Sequence, residues 1–292
     1  MLSKEAALYV PSGTQSNLVA LMSHCQRGEE YIVGQDAHTY KYEGGGAAVL
    51  GSIQPQPLPV EADGSLDLDR VEAAIKPDDF HFAITRLLCL ENTISGRVLP
   101  LTYMEQAAAL ANRRGLAIHL DGARVFNAAI KLGVEVSAIS QYFDSVSVCL
   151  SKGLGAPVGS VLCGTAELIK TARRWRKMLG GGMRQAGIIA AGGIHALENN
   201  ISRLQTDHDN AALLGRELAK LPALQVELEY LHTNMVFFTP QDSNGTALAE
   251  YLKEQGILVD AAKNIRLVTH MQISRDDVLT VVDAVREFYA RG

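Results

Sequence analysis

SVSVCLSKGLGAPVGS, residues 145–160, is the stretch whose reading decides the fold. Ser145–Leu150 is a short apolar run of the kind that forms a strand, and Lys152 follows it at once, ahead of Gly153 and Gly155. The lysine is thereby placed at the carboxyl end of a strand, the edge at which α/β sheets bind ligands. Upstream, the runs AALYV (6–10), EEYIV (29–33), TRLLCLEN (85–92) and LAIHL (116–120) alternate with amphipathic segments. That alternation predicts an α/β fold, with a large domain built on a mostly parallel mixed sheet flanked by helices.

Local signals support the helices between these strands. Leu18, Val19, Leu21, Met22 and Cys25 fall at helical spacing after a P-S-G-T turn in which Ser12 or Thr14 can cap the first turn. Tyr103–Arg114 has the same periodicity and stops at Gly115. Near residues 180–200 the character changes: GGGMRQ leads into a long helical stretch through Asn200 and on toward Leu218. Beyond it, QVELEY (225–230), TNMVFF (233–238), GILVD (256–260) and NIRLVTH (264–270) read as strands, with helices over 246–254 and 275–289. The expected division is a large domain over residues 1–195 and a smaller C-terminal α+β domain over 196–292.

Composition removes several function classes. The 292 residues are 47% hydrophobic and 20% charged, which is ordinary for a folded globular chain. The net charge is −5 with no basic tract, so nucleic acid is not an expected partner. No apolar run reaches the roughly 20 residues needed to span a bilayer, and the first residues lack a secretory pattern, so no membrane partner is expected and the cytoplasm is the expected location. Cys25, Cys89, Cys149 and Cys163 are scattered in apolar contexts, which suggests buried thiols; no metal site is expected.

A lysine at a strand-to-glycine turn is, by itself, an ordinary solvated loop residue. Asp121 changes its meaning, because LAIHLDGAR puts a carboxylate at the end of another strand about one βαβ unit earlier. Pyridoxal 5′-phosphate needs such a pair: an amine to condense with its aldehyde, and an acid to face its ring nitrogen. Asp121 would serve equally well as the N-cap of the segment Ala123–Ile130. Gly13 and Thr14, in a turn between a strand and a helix, offer backbone N–H groups to a phosphate. No P-loop is present, and the Gly153–Gly155 stretch runs into Pro157 and a strand rather than a helix, so nucleotide readings fail.

Seven segments then share one pattern: VPSGTQSN (10–17), GQDAHTYKYE (34–43), LENTISGRVLP (90–100), HLDGARVFNA (119–128), CLSKGLGAPVGS (149–160), RKMLGGGMRQAG (176–187) and IRLVTH (265–270). Together they resemble the threonine aldolase family, in particular its low-specificity L-threonine members, lyases with the aspartate-aminotransferase type of pyridoxal-phosphate fold. The resemblance implies that Lys152 forms the Schiff base, Asp121 pairs with the ring nitrogen, Gly13 and Thr14 hold phosphate, and His38 stacks on the ring. Arg124 and Arg266 would clamp the substrate carboxylate, and the apolar context of Arg266 suggests a buried guanidinium. Arg184 resembles a cofactor-site arginine, with an interface role as the alternative. The implied reaction is retro-aldol cleavage of L-threonine, with His38, His81 or a bound water as the base, in a homotetramer or homodimer.

Two departures accompany the match. The family's R-S-D-T and D-D-x-Y-G segments lie upstream of the first residue here, which leads to the expectation of impaired turnover or assembly. At Thr93-Ile94-Ser95 the family's usual T-H-N has lost its imidazole. The rival functions are an aminotransferase or β-eliminating lyase of the same fold, and a non-catalytic pyridoxal-binding subunit.

Overall fold

The computed structural model describes residues 1–291. It falls into two compact units: Met1–Ile94 with Val98–Ile201, and Ser95–Arg97 with Ser202–Gly292.

The larger unit is built on seven strands: β1 (Ala6–Val10), β2 (Glu29–Gly34), β3 (Gln54–Leu58), β4 (Ile84–Glu91), β5 (Ala117–Asp121), β6 (Ser145–Cys149) and β7 (Ser160–Gly164), arranged in the order β1-β7-β6-β5-β4-β2-β3. β7 is antiparallel to both of its neighbours, and the remaining pairs are parallel. Six carboxyl ends therefore share one edge of the sheet, and the start of the reversed β7 joins them there. β5 and β6 are almost wholly buried, as parallel strands covered on both faces must be. The mixed, mostly parallel sheet expected from the alternating runs is thus present.

Sequence reasoning passed over β3, because QPQPL carries prolines at 55 and 57. Its position explains them: β3 pairs only with β2 at the end of the sheet, where a missing N–H costs no ladder bond.

Helices pack on this sheet. α1 (Gly13–His24) begins directly after β1, and of the two candidate caps it is Ser12 whose side chain accepts from the Gln15 N–H. The short helices α2 (His38–Lys41) and α3 (Gly46–Val49) follow β2, then α4 (Leu68–Ala74), α5 (Leu101–Arg113), α6 (Val125–Leu132), α7 (Val136–Ser140), α8 (Ala166–Met178) and α9 (Gly187–Asn199). One buried cluster joins Leu18, Leu21 and Met22 of α1 to Tyr31, Val33 and Leu87; a second joins Val19 and Ala20 to Leu8, Leu162 and Ile169. All four cysteines are buried and free.

The smaller unit contains α10 (Leu204–Leu218), β8 (Leu224–Val226), β9 (Met235–Pro240), α11 (Gly245–Glu254), β10 (Ile265–Val268) and α12 (Arg275–Ala290), with an antiparallel sheet in the order β10-β9-β8. Its core is Leu214, Leu218, Val236, Phe238, Leu252, Ile265 and Val282. Three expectations are corrected. The helical stretch from 187 to 218 is two helices, interrupted at Asn200–Arg203. QVELEY is a strand only to Val226, and a single 3-10 turn follows. GILVD pairs with no strand; Ile257 and Val259 pack on the core while Leu258 stays exposed, so burial alone produces the alternation.

Candidate active site

The carboxyl edge of the large sheet gathers the titratable groups. Glu91 ends β4 and Asp121 ends β5, and the two are paired in register. Asp121 is buried, and both of its oxygens are engaged: Oδ1 accepts from the Ala123 N–H at 3.1 Å, and Oδ2 accepts from Asn17 Nδ2 at 2.8 Å. The capping alternative is thus partly realised, since one oxygen steadies the turn into α6 while Arg124 occupies the cap position. The second oxygen is held by a side chain from α1.

Asn17 ties in a further carboxylate. Its Nδ2 also lies 2.8 Å from Glu43 Oε1, which in turn meets His38 Nδ1 at 2.8 Å. The hydrogen bond to Glu43 raises the pKa of His38, and burial raises that of Glu43, so the pair holds a proton to higher pH than either group would alone. The His38 backbone N–H donates to Glu91 Oε2 at 2.7 Å. Burial pushes the Glu91 carboxyl well above the usual range, and the nearby Asp121 charge adds to the shift. One nitrogen of His38 and one oxygen each of Glu43 and Asp121 lie within 4.8 Å of one another; the Asn17 amide, donating to both carboxylates, bridges them as a cation would.

Lys152 stands just past β6, half-buried, on a loop closed at both ends: Leu150 N–H donates to Gly159 O, and Ala156 N–H to Leu150 O. The far end of this loop is pinned to β1, because Tyr9 Oη donates to Val158 O at 3.0 Å. Gly159 has φ +111, and a Cβ there would fall 2.2 Å from Tyr9 Oη, so no other residue fits. The Lys152 charge acts on His38, Glu91 and Cys149, which places it among the strand-end groups.

Gly13 opens α1 beside the end of β6, and a Cβ at Gly13 would lie 2.7 Å from Cys149 Sγ. The first turn of α1, with its backbone N–H groups, is thus pressed against the strand ends that flank the loop carrying the lysine. N–H groups for an anion, an amine for an aldehyde and a carboxylate for a basic ring nitrogen are what pyridoxal phosphate requires, and the first turn of α1, Lys152 and Asp121 fit it.

The structure gathers Gly13, Thr14, His38, Asp121, Arg124 and Lys152 on one edge of one unit. It does not bring His81 there: His81 precedes β4, whose carboxyl end is about 23 Å away at the usual rise per residue, and it is exposed and bonded to Asp79. Arg184 is exposed in the loop before α9. Arg266 lies in the other unit, and it is exposed rather than buried: along β10 Ile265 and Leu267 pack on the core, and Arg266 between them projects from the opposite face. The sequence reading assigned no role to Asn17, Glu43 or Glu91. Asn17 left a signal, since it is a polar residue within the apolar stretch of α1, one turn beyond Gly13.

A mostly parallel sheet with a loop lysine and an anchored aspartate at its carboxyl edge defines a class, the pyridoxal-phosphate-dependent enzymes. The chain belongs to the beta-eliminating lyase family, whose model matches residues 1–241, and within it to the low-specificity L-threonine aldolases. It is 56% identical over 288 residues to the low specificity L-threonine aldolase of Escherichia coli K12, covering 99% of this chain and 86% of that one. To the low-specificity L-threonine aldolase 1 of Arabidopsis thaliana it is 44% identical, over 95% of this chain and 81% of the relative. The fold matches a solved threonine aldolase of Leishmania major with a TM-score of 0.84 at 20% identity, over 97% of this chain and 84% of that one.

Proposed function

We propose that this chain cleaves L-threonine, L-allo-threonine and related β-hydroxy-α-amino acids to glycine and an aldehyde, with pyridoxal 5′-phosphate bound through Lys152. The observation that carries the reading is Asp121, a buried carboxylate held by Asn17 and the Ala123 N–H at the strand next to the one that leads into Lys152. When bound, pyridoxal phosphate supplies an aldehyde that condenses with amines and a protonated ring that accepts the electron pair left when the Cα–Cβ bond breaks.

The residues divide the remaining work. Asp121 keeps the ring nitrogen cationic, Gly13 and Thr14 direct N–H groups at the phosphate, and His38 covers the ring face. Arg124 and Arg266 hold the substrate carboxylate, a bidentate task suited to guanidinium. A base must take the β-hydroxyl proton. His38 stands among the strand-end groups, whereas His81 lies toward the opposite edge of its own sheet; a bound water is the third candidate. Arg184 serves the cofactor or an interface between subunits.

The assembly we propose is a homotetramer or homodimer. α9, GIIAAGGIHALEN, is apolar almost all round yet leaves Ile188 and Ile194 exposed, and Phe80 and Val49 are exposed elsewhere on the same unit. Among the described residues no helix is long and apolar enough to cross a membrane; we place the enzyme in the cytoplasm.

Borohydride reduction of the cofactor-loaded protein, followed by peptide mapping, should put the adduct on the peptide containing Lys152, and incubation with L-threonine without any keto acid should release glycine and acetaldehyde. An unmodified Lys152, or amino transfer in place of cleavage, would sink the proposal.

A further inference from the structure

Behind Asp121 lies a chain of buried polar groups whose hydrogen positions can be worked out. Asn17 Nδ2 meets two carboxylate oxygens, on Asp121 and Glu43, each at 2.8 Å, so both of its amide hydrogens are committed there. Its Oδ1 therefore faces away from them, 3.3 Å from Nε2 of His119. An amide oxygen only accepts, so His119 Nε2 must carry a hydrogen.

The remaining assignments follow in turn. His119 is fully buried, and burial holds it neutral, with its pKa pushed down to about 3. Its Nδ1 is then a bare lone pair, so the Ser145 hydroxyl, 2.7 Å away, must be the donor. The Ser145 oxygen is left to accept from His24 Nε2, also at 2.7 Å. Every donor in the series from His24 through Ser145, His119 and Asn17 points the same way, and the series ends on the Asp121 carboxylate. The opposite tautomer of His119 would let Nδ1–H donate to the Ser145 hydroxyl, but it would set the Nε2 lone pair against the Asn17 oxygen.

We infer that His119 is a positioning residue for Asp121: its Nε2–H tautomer, fixed from behind by Ser145 and His24, keeps the Asn17 amide turned with its hydrogens toward the carboxylate. The inference rests on the proposed role of Asp121 opposite the ring nitrogen. His119 touches neither cofactor nor substrate in that reading. Its effect is to align donors that end on the Asp121 carboxylate, and ordered polar chains of this kind reinforce one another in a dry interior.

The test uses the cofactor-loaded enzyme. With 15N-labelled histidine, His119 should show a protonated Nε2 and an unprotonated Nδ1; a proton on Nδ1 overturns the inference. His119→Phe should lower cofactor affinity about tenfold, move the pH transition of the bound cofactor's visible band, and lower kcat for L-threonine about tenfold with little change in KM, the effect of loosening one hydrogen bond to a charged group. His119→Gln, whose amide nitrogen can donate to Asn17, should recover part of each loss. Should His119→Phe fail to fold, Ser145→Ala, which removes only the donor to Nδ1, should shift the band the same way and lower affinity severalfold. A wild-type band and wild-type affinity in whichever of these variants folds overturns the inference. Asp121→Asn separates the two levels: if it too leaves band and affinity unchanged, the role of Asp121 itself has failed, whereas an impaired Asp121→Asn beside an unaffected His119→Phe sinks only the role of His119.

Discussion

Glu91 and Asp121 sit side by side at the ends of adjacent strands, Asp121 buried and Glu91 partly buried, yet they are met by different sets of donors. Asp121 receives an amide hydrogen on one oxygen and a backbone N–H on the other, and behind it stand two neutral histidines whose donors point toward it. Glu91 receives the His38 N–H, and burial and the Asp121 charge push its proton affinity up. The lesson is that burial alone does not settle the charge of a carboxylate; the number and direction of the donors do. One strand end is ringed by donors, and burial leaves its neighbour holding a proton more tightly.

The largest expected effect comes from breaking the first of these ends. Asp121→Asn retains the size of the side chain but not its charge, and kcat/KM for L-threonine should fall by about two to three orders of magnitude in steady-state assays. An effect under tenfold would show that the two carboxyls are not differentiated as argued.

Next in size is a contrast in pH dependence. His24 and His119 have lowered pKa values, to about 4 and about 3, so their contribution to stability is present above the ordinary histidine value and lost as pH falls through the folded values. For His24 the loss amounts to about 3 kcal/mol. Glu91 is shifted the other way: its contribution is full below the ordinary carboxylate value and lost as pH rises through the raised one. Thermal melts across pH should therefore show an acid limb that His119→Phe flattens and an alkaline limb that Glu91→Gln flattens.

The third test moves one strand along, to the edge shared by α1 and β6. Gly13→Ala drives a methyl against Cys149 Sγ and should cost about 1–3 kcal/mol in denaturant melts, with weaker cofactor binding measured by titration. The smallest effect belongs to Glu91→Gln at neutral pH. Its amide oxygen can still accept from the His38 N–H, so activity should change by less than about tenfold and the melting temperature should hold or rise.

Much of this was legible in the chain. β1, β2, β4, β5 and β6 are apolar runs in the sequence, and the places of Asp121 and Lys152 at the strand ends can be read from the same runs. Where reading failed, tertiary context had overruled a local pattern. The prolines of β3 are tolerated only because that strand is an edge, and GILVD alternates because a core lies beside it, not because a strand does. Arg266 looked buried among apolar neighbours until the two faces of β10 were separated. The polar chain through Asn17, His119, Ser145 and His24 is not legible in the sequence because its members are spread over α1, β5 and β6 and meet only when the sheet forms.

The loop between β6 and β7 has one more consequence. Its two ends are stitched to each other, and Tyr9 clasps its far side from the first strand, so the backbone beneath Lys152 is a fixed pivot. In the role proposed for it, the amine would move through its own side-chain torsions with no rearrangement of the chain that bears it, as a door turns on a hinge set in masonry.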